Sequence, residues 1–428
     1  MCVRWCGSTT KNDECEAIFV GNLNFYAMSQ IVPDKIDYQN FPLPFRLITN
    51  AVGGTQFRQA ISFGSCRIVY NPICPDPDVT FFLFTKENPE YPVPILVGSS
   101  RLVSNLNSTL FDATKPTKII IHGYNSNMNI SALVVIRNEY LRTKDFNIFT
   151  VDWSPLNQSP CYLGAVINIR HVGTCTAQLV ERLLELGNTD IHVLGFSLGA
   201  HVTNYMAIEL RPYRVPRITG LDPALPGFTT WNLDSKLDKT DAEFVDVYHT
   251  NAFFQGKVEE SGHVDFYVNG GVFQPGCWAQ IRYFACNHHR APLYYAESIN
   301  TVKGFYGWPC PSYFDYLLGR CLPKDPQILI GEYITKGVQG VYLVITESVS
   351  PFAVGKYEGP SVEILKQFEA HRMAILDKYK NIVIGYVDED DLLDQLYNQR
   401  NIKSKISNKL FEVVLDREEN ADLISVLN

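Results

Sequence analysis

The string GFSLG at residues 195–199 places a serine with a glycine two positions away on each side. This is the pattern of a nucleophile elbow, a turn so tight that side chains at the two glycine positions would collide with its neighbours. Gly-x-Ser-x-Gly alone arises often by chance. Here the apolar run IHVL precedes it and a helical pattern follows, which is the setting an elbow requires. A serine hydroxyl is a weak nucleophile at neutral pH and needs a base, which in turn needs an orienting acid. The expected chain order is Ser197, an acid, then a histidine. Asp222 in RITGLDPALPGF follows an apolar run, and Pro223 stops the strand there. Asp246 and Asp265 are the rival acids, and Asp246 reads more simply as a structural residue inside a strand. The candidate bases are His249, His263, His288 and His289. His288 comes late, just beyond Cys286, where a covalent anchor would restrain it. Spacing alone does not separate it from His289.

These side chains need a rigid support, and the pattern around them supplies one. Strands are expected at Lys118–Ile121, Asn147–Val151, Asp190–Leu194, Arg217–Leu221 and Phe244–His249. A long amphipathic helix is expected over Leu163–Leu186, and another over Leu198–Leu210, which Pro212 terminates. Strands alternating with helices imply a mostly parallel sheet with helices on both faces, an α/β fold. Residues 325–349 turn β-like, in ILIGEYI and GVYLVIT. Three sections follow: a cysteine-containing stretch at 1–65 with no functional reading, an α/β domain at 66–356, and a charged all-helical tail at 357–428. Helices are expected in the tail at Ser361–Lys378, Glu389–Asn398, Ile402–Val414 and Glu418–Leu427.

The net charge of −8 excludes a broad basic footprint for nucleic acid. No stretch reads as a transmembrane helix. Eleven cysteines occur without a Cys-x-x-Cys pair, which argues for an oxidising compartment rather than a zinc ribbon. Sequons at Asn107, Asn129 and Asn157 suit secretion, with Asn107 and Asn129 the expected glycosylation sites because Pro160 disfavours the third. Met1–Val20 lacks the apolar core of a signal peptide. The expected location is nonetheless extracellular, with the leader missing from this chain.

The strings KIIIHGY, FTVDWS, GFSLGAHV, RITGLDPALPGF, DAEFVDVYHT, GHVDFYVNGG, QPGC and ACNHHR occur in order across about residues 66–356. In these the chain resembles the pancreatic lipase superfamily, specifically its insect lipase and venom phospholipase A1 branch. The resemblance implies an α/β-hydrolase fold and a triad of Ser197, Asp222 and His288, the base being the residue after Cys-Asn. It implies an oxyanion hole from the backbone N–H groups of Tyr124 and Leu198. It implies a lid between Cys277 and Cys286, bridged to each other; its Trp278, Ile281, Tyr283 and Phe284 are candidates to touch a lipid surface, the alternative being that they pack on the protein. It also implies Cys74–Cys161 and Cys310–Cys321 bridges, leaving Cys2, Cys6, Cys15, Cys66 and Cys175 without assigned partners.

The eight lid residues WAQIRYFA are too few for a long amphipathic flap. In the family, short surface loops go with phospholipase A1 activity, so a phospholipid or glyceride at a lipid surface is the expected partner. A neutral triacylglycerol lipase is the alternative. A non-catalytic lipid-binding relative is a third, although such relatives lack the nucleophile that is present here. No cofactor and no metal are expected. Asp238 and Asp241 match a calcium-site region of some relatives, but their flanking residues differ. The tail from His371 resembles part of a caspase-recruitment domain of the death fold, which would imply a helical-domain partner.

Overall fold

The computed structural model describes residues 57–71, 73–100, 102–277, 283–358 and 368–377, with short pieces at 3–4, 17–18 and 46–51 and residue 366. Strands β1 (Val3–Arg4) and β2 (Ala17–Ile18) pair with each other antiparallel. Strands β3 (Arg46–Ala51), β4 (Phe57–Phe63) and β5 (Cys66–Asn71) form an antiparallel meander.

The main sheet has eleven strands. Its parallel centre is β8 (Thr117–Ile121), β9 (Asn147–Asp152), β10 (Ile191–Phe196), β11 (Arg217–Leu221), β12 (Val245–His249), β13 (Val264–Val268) and β16 (Gly340–Val344). One edge is closed by antiparallel β6 (Thr80–Phe84) and β7 (Val93–Ile95), the other by β14 (Tyr306–Cys310) and β15 (Ile328–Leu329). The order is β15-β14-β16-β13-β12-β11-β10-β8-β9-β6-β7. Central strands buried on both faces explain their nearly continuous apolar runs.

Helices α2 (Tyr162–Glu185) and α3 (Leu198–Leu210) cover one face, and α1 (Ser131–Thr143) and α4 (Tyr283–Asn300) the other. Strand alternation sorts side chains between the two layers. Ile191 and Val193 join Val172, Leu183 and Val202 in one apolar cluster, whereas Leu194 and Phe196 join Ile136, Ala291 and Tyr295 in the other. A short helix α5 (Tyr313–Leu317) follows β14. No helix among the described residues is long and apolar enough to cross a membrane.

Packing continues across the section boundaries expected at 66 and 356. Strand β5 lies on α2, and Ala60 of β4 joins the same apolar cluster. The Asn168 side chain accepts the Val69 N–H at 2.9 Å and donates to the carbonyls of Arg67 at 2.7 Å and Leu156 at 2.9 Å. In the tail, helical residues 368–377 place Phe368 and Ile375 in a buried cluster with Trp308 and Tyr316, and Arg372 donates to the Leu317 carbonyl at 2.8 Å. The later tail helices, and with them most of the caspase-recruitment likeness, lie outside the described residues. ILIGEYI yields only the two-residue β15, because Glu332 leaves the strand direction to accept hydrogen bonds from Lys118, Tyr140 and Tyr295 at 2.5–2.7 Å.

The cysteine pairing requires a correction. Cys161 bonds Cys66, and Cys74 bonds Cys175, so the expected Cys74–Cys161 bridge is replaced. Cys277–Cys286 and Cys310–Cys321 are present as expected. The reason is the course of β5 along α2. Cys161 caps the helix and Cys175 lies about 21 Å further along it, a span that the eight residues from Cys66 to Cys74 can cover at up to about 28 Å when extended. Non-reducing peptide mapping should recover Cys66–Cys161 and Cys74–Cys175 peptides and no Cys74–Cys161 peptide. Replacing Cys74 and Cys175 together by alanine should cost about 2–5 kcal/mol, read as a lower midpoint in denaturant.

Candidate active site

Ser197 lies between β10 and α3 with φ 58° and ψ −119°, a backbone conformation that L-residues avoid. The surroundings leave it no alternative. Its N–H donates to the Leu221 carbonyl at 3.1 Å, and its own carbonyl accepts from Ala200 at 3.1 Å and Ala224 at 3.2 Å. A Cβ at Gly195 would come within 2.4 Å of the Gly199 carbonyl oxygen, and one at Gly199 within 2.3 Å of the Ile121 carbonyl oxygen. Only glycine fits at both positions, which is the physical content of the motif.

Two of those backbone bonds grip residues 221 and 224, so Ser197 and Asp222 are positioned by the same turn. Asp222 also has positive φ, at 45°. Its Oδ1 accepts the N–H groups of Thr250 at 2.8 Å and Asn251 at 3.0 Å, donors at the end of β12. Its Oδ2 accepts from Nδ1 of His288 at 2.5 Å. The carboxylate fixes the proton on Nδ1 and leaves the ring's lone pair on Nε2. His288 is buried on α4. The Asn287 side chain next to it accepts the Gln274 N–H at 2.7 Å, and Gln274 donates to the carbonyls of Thr250 at 2.9 Å and Val268 at 2.8 Å. That lattice ties the start of α4 to the strand ends that hold Asp222.

The rival residues are committed elsewhere. Asp246 accepts two bonds from Arg217, at 2.9 and 2.8 Å, and one from Thr219 at 2.8 Å. His249 donates to Asp265 at 2.9 Å, and His263 Nδ1 accepts the Val245 N–H at 3.0 Å. His289 is pushed down to about 4 by burial and by its neighbour His288, so it stays neutral.

The loop carrying Tyr124 passes directly over Ser197: a Cβ at Gly123 would lie 2.7 Å from Ser197 Cβ and 3.2 Å from its Oγ. The Gly123 carbonyl is drawn away by the Asn157 side-chain amide at 3.0 Å and by His122 Nδ1 at 3.0 Å. Because a trans peptide points its C=O and N–H oppositely, this turns the Tyr124 N–H the other way. His122 is itself fixed, its Nε2 accepting the Trp153 N–H at 3.1 Å and its ring stacked on the Trp153 indole. Asn157, one of the three sequons, is fully buried in this loop, whereas Asn107 and Asn129 are exposed.

The positioning roles of Asn157, Gln274 and Asn287 went unnoticed in the sequence because isolated amides carry no spacing signal for them. WSPLN directly after a strand was the available hint for the first. Of the expected lid, Trp278 and Ile281 lie outside the described residues, while Tyr283 and Phe284 begin α4, beside the Cys277–Cys286 bridge.

Among the described residues, one group has the spacing to hold a metal ion, Cys74, His171 and Cys175, and its two sulfurs are joined in a disulfide. Asp241 accepts from the Asn204 amide and the Asp238 N–H, both at 3.0 Å, and burial together with the Asp238 charge pushes it up to about 7.

Comparisons with known proteins agree with this architecture. Phospholipase A1 member A of Rattus norvegicus is 37% identical over 254 residues, covering 57% of this chain and 54% of its own. Lipase member H-A of Xenopus laevis is 36% identical over 250 residues, covering 57% and 53%. Pancreatic triacylglycerol lipase of Equus caballus is 34% identical over 312 residues, covering 65% and 66%. The chain thus spans about half the length of the first two relatives. The sequence profile of the family described as Lipase matches residues 67–352. With that match spanning the whole sheet and the turn, strand end and helix that carry Ser197, Asp222 and His288, this chain belongs to the lipase family.

Proposed function

We propose that this protein hydrolyses lipid esters as a phospholipase A1, releasing the acyl chain at the sn-1 position through a serine acyl-enzyme. The observation that carries the reading is the Asp222–His288 bond set beside Ser197 at a strained strand-to-helix turn. Ser197 attacks the ester carbonyl while His288 Nε2 takes its proton. Asp222 holds the imidazole tautomer and stabilises the imidazolium. The N–H groups of Tyr124 and Leu198 receive the oxyanion, a donor of this kind being worth about 3 kcal/mol. His288 then protonates the leaving alcohol, and water repeats the sequence on the acyl-enzyme.

The preference for phospholipid rests on the nine-residue separation of Cys277 and Cys286, which leaves little chain to cover the site. Two relatives carry the matching name, phospholipase A1 member A of rat and of cattle. Exposed Asn107 and Asn129 and the four disulfides support an extracellular location, where the substrate is met at a lipid surface.

The test uses the purified chain on vesicles of phosphatidylcholine labelled differently at sn-1 and sn-2, with emulsified triolein in parallel. The expected product is sn-1 fatty acid and 2-acyl lysophospholipid, with triolein turned over at least about tenfold more slowly, a difference of about 1.4 kcal/mol at the transition state. Faster triolein cleavage would replace this reading with a triacylglycerol lipase. Binding of vesicles with no product would favour a non-catalytic relative.

A further inference from the structure

Phe196 is the last residue of β10 and hands the chain directly to Ser197. The alternation that turns Gly195 toward α3 turns Phe196 to the opposite face, into the apolar cluster that includes Leu194, Leu221 and Ala291 of α4. Its ring centroid lies 4.6 Å from that of His288, with the planes 38° apart. The His289 ring meets it edge-on, at 5.5 Å and 71°.

Asp222 holds His288 by a single atom, Nδ1. A ring tethered at one edge atom can still swing about that bond, and any swing displaces Nε2, the atom that must reach the serine hydroxyl. An aromatic ring against the imidazole face removes this freedom. It also matters electrically. When His288 takes the serine proton it becomes a cation, and the face of an aromatic ring attracts a cation within about 6 Å. Asp222 then faces the charge from the imidazole edge, and Phe196 from the flat side. His289, held neutral by burial and by His288, brings no second charge to the same ring. An aliphatic side chain at 196 would fill the space but supply no such face.

We propose that Phe196 is a positioning residue for His288, bracing its ring and steadying the imidazolium that forms during ester cleavage. The inference rests on the Ser197–His288–Asp222 reading.

The test is the pH profile of kcat/KM for the full chain carrying Phe196→Leu, measured on a soluble short-chain ester. The acid limb of this profile reports the base in the free enzyme. Losing a contact that favours the protonated ring lets the free base persist to lower pH. The limb should therefore move to lower pH by about half a unit to one unit. The plateau kcat should fall about threefold to tenfold, with KM within about twofold, as expected for an interaction made mainly in the transition state. Phe196→Tyr keeps the aromatic face and should keep the wild-type limb.

If Phe196 only fills space, Phe196→Leu loses thermal stability or kcat while its limb superimposes on the wild type, and the proposal is overturned. Should the leucine variant not fold, Phe196→Met is carried through the same profile with the same criteria. The wild type separates the two levels. If it shows neither an acid limb nor labelling at Ser197 by a fluorophosphonate, the triad reading fails and this inference with it. If it shows both, and the aliphatic variant leaves the limb in place, only the role of Phe196 fails.

Discussion

Ser197→Ala should lower ester hydrolysis by about ten-thousandfold or more, because removing a nucleophile leaves only what the oxyanion donors and substrate binding contribute. The fold should be unaffected. The turn at residue 197 is enforced by backbone bonds to Leu221, Ala200 and Ala224, none of which involves the hydroxyl. A fluorophosphonate probe should label the wild type at one peptide, containing residue 197, and should not label the variant. Retention of a tenth of the activity, or labelling at another serine, would place the chemistry elsewhere in the molecule.

The second large effect is expected from a residue with no functional atoms of its own. A Cβ at Gly256 would sit 2.4 Å from Asp222 Oδ1 and 2.6 Å from both its carboxyl carbon and Oδ2. That carboxylate is already gripped on one side by Thr250 and Asn251 and on the other by His288, so Gly256→Ala must displace it. A shift of about 1 Å in a catalytic group can cost about a hundredfold. Gly256→Ala should therefore lose about two orders of magnitude in kcat with KM little changed. Circular dichroism and the thermal midpoint should show a folded protein, because the obstruction falls on one side chain rather than on a strand. Wild-type kcat in this variant would mean that Asp222 does not hold the working imidazole.

The contrast between Ser197 and Gly256 shows what the sequence displays and what it hides. An elbow is written into five consecutive residues because its steric demands are local. The helix at Leu198–Leu210 and the strand at Arg217–Leu221 fall at their expected bounds for the same reason, periodicity and proline stops being near-neighbour signals. The candidate acid and base stood out because they follow strand ends or an anchoring cysteine, and the structure brings Asp222 and His288 within hydrogen-bond distance.

What escaped detection depends on neighbours distant in the chain. The partners of Cys161 and Cys175 lie 95 and 101 residues away, so their pairing is decided by how β5 runs along α2. The end of β15 is set by a carboxylate reaching Lys118, more than two hundred residues upstream. Gly256 and Asn157 act through a carboxylate and a carbonyl that no local pattern announces. Glu332, read as part of a strand, became the acceptor for three buried donors because the sheet brings lysine and tyrosine side chains to it.

The two bridges to α2 also bear on how the chain withstands proteolysis. Both cross from the segment before residue 75 to the segment after residue 160, and between them lie surface residues such as Leu96, Leu102 and Val103 that a protease can reach. A single nick in that interval leaves two fragments doubly stapled together, with the elbow, its acid and its imidazole all on the longer one. Such a molecule would travel as an intact band until a thiol is added, and a fold built this way can be cut once on the edge of its sheet without coming apart.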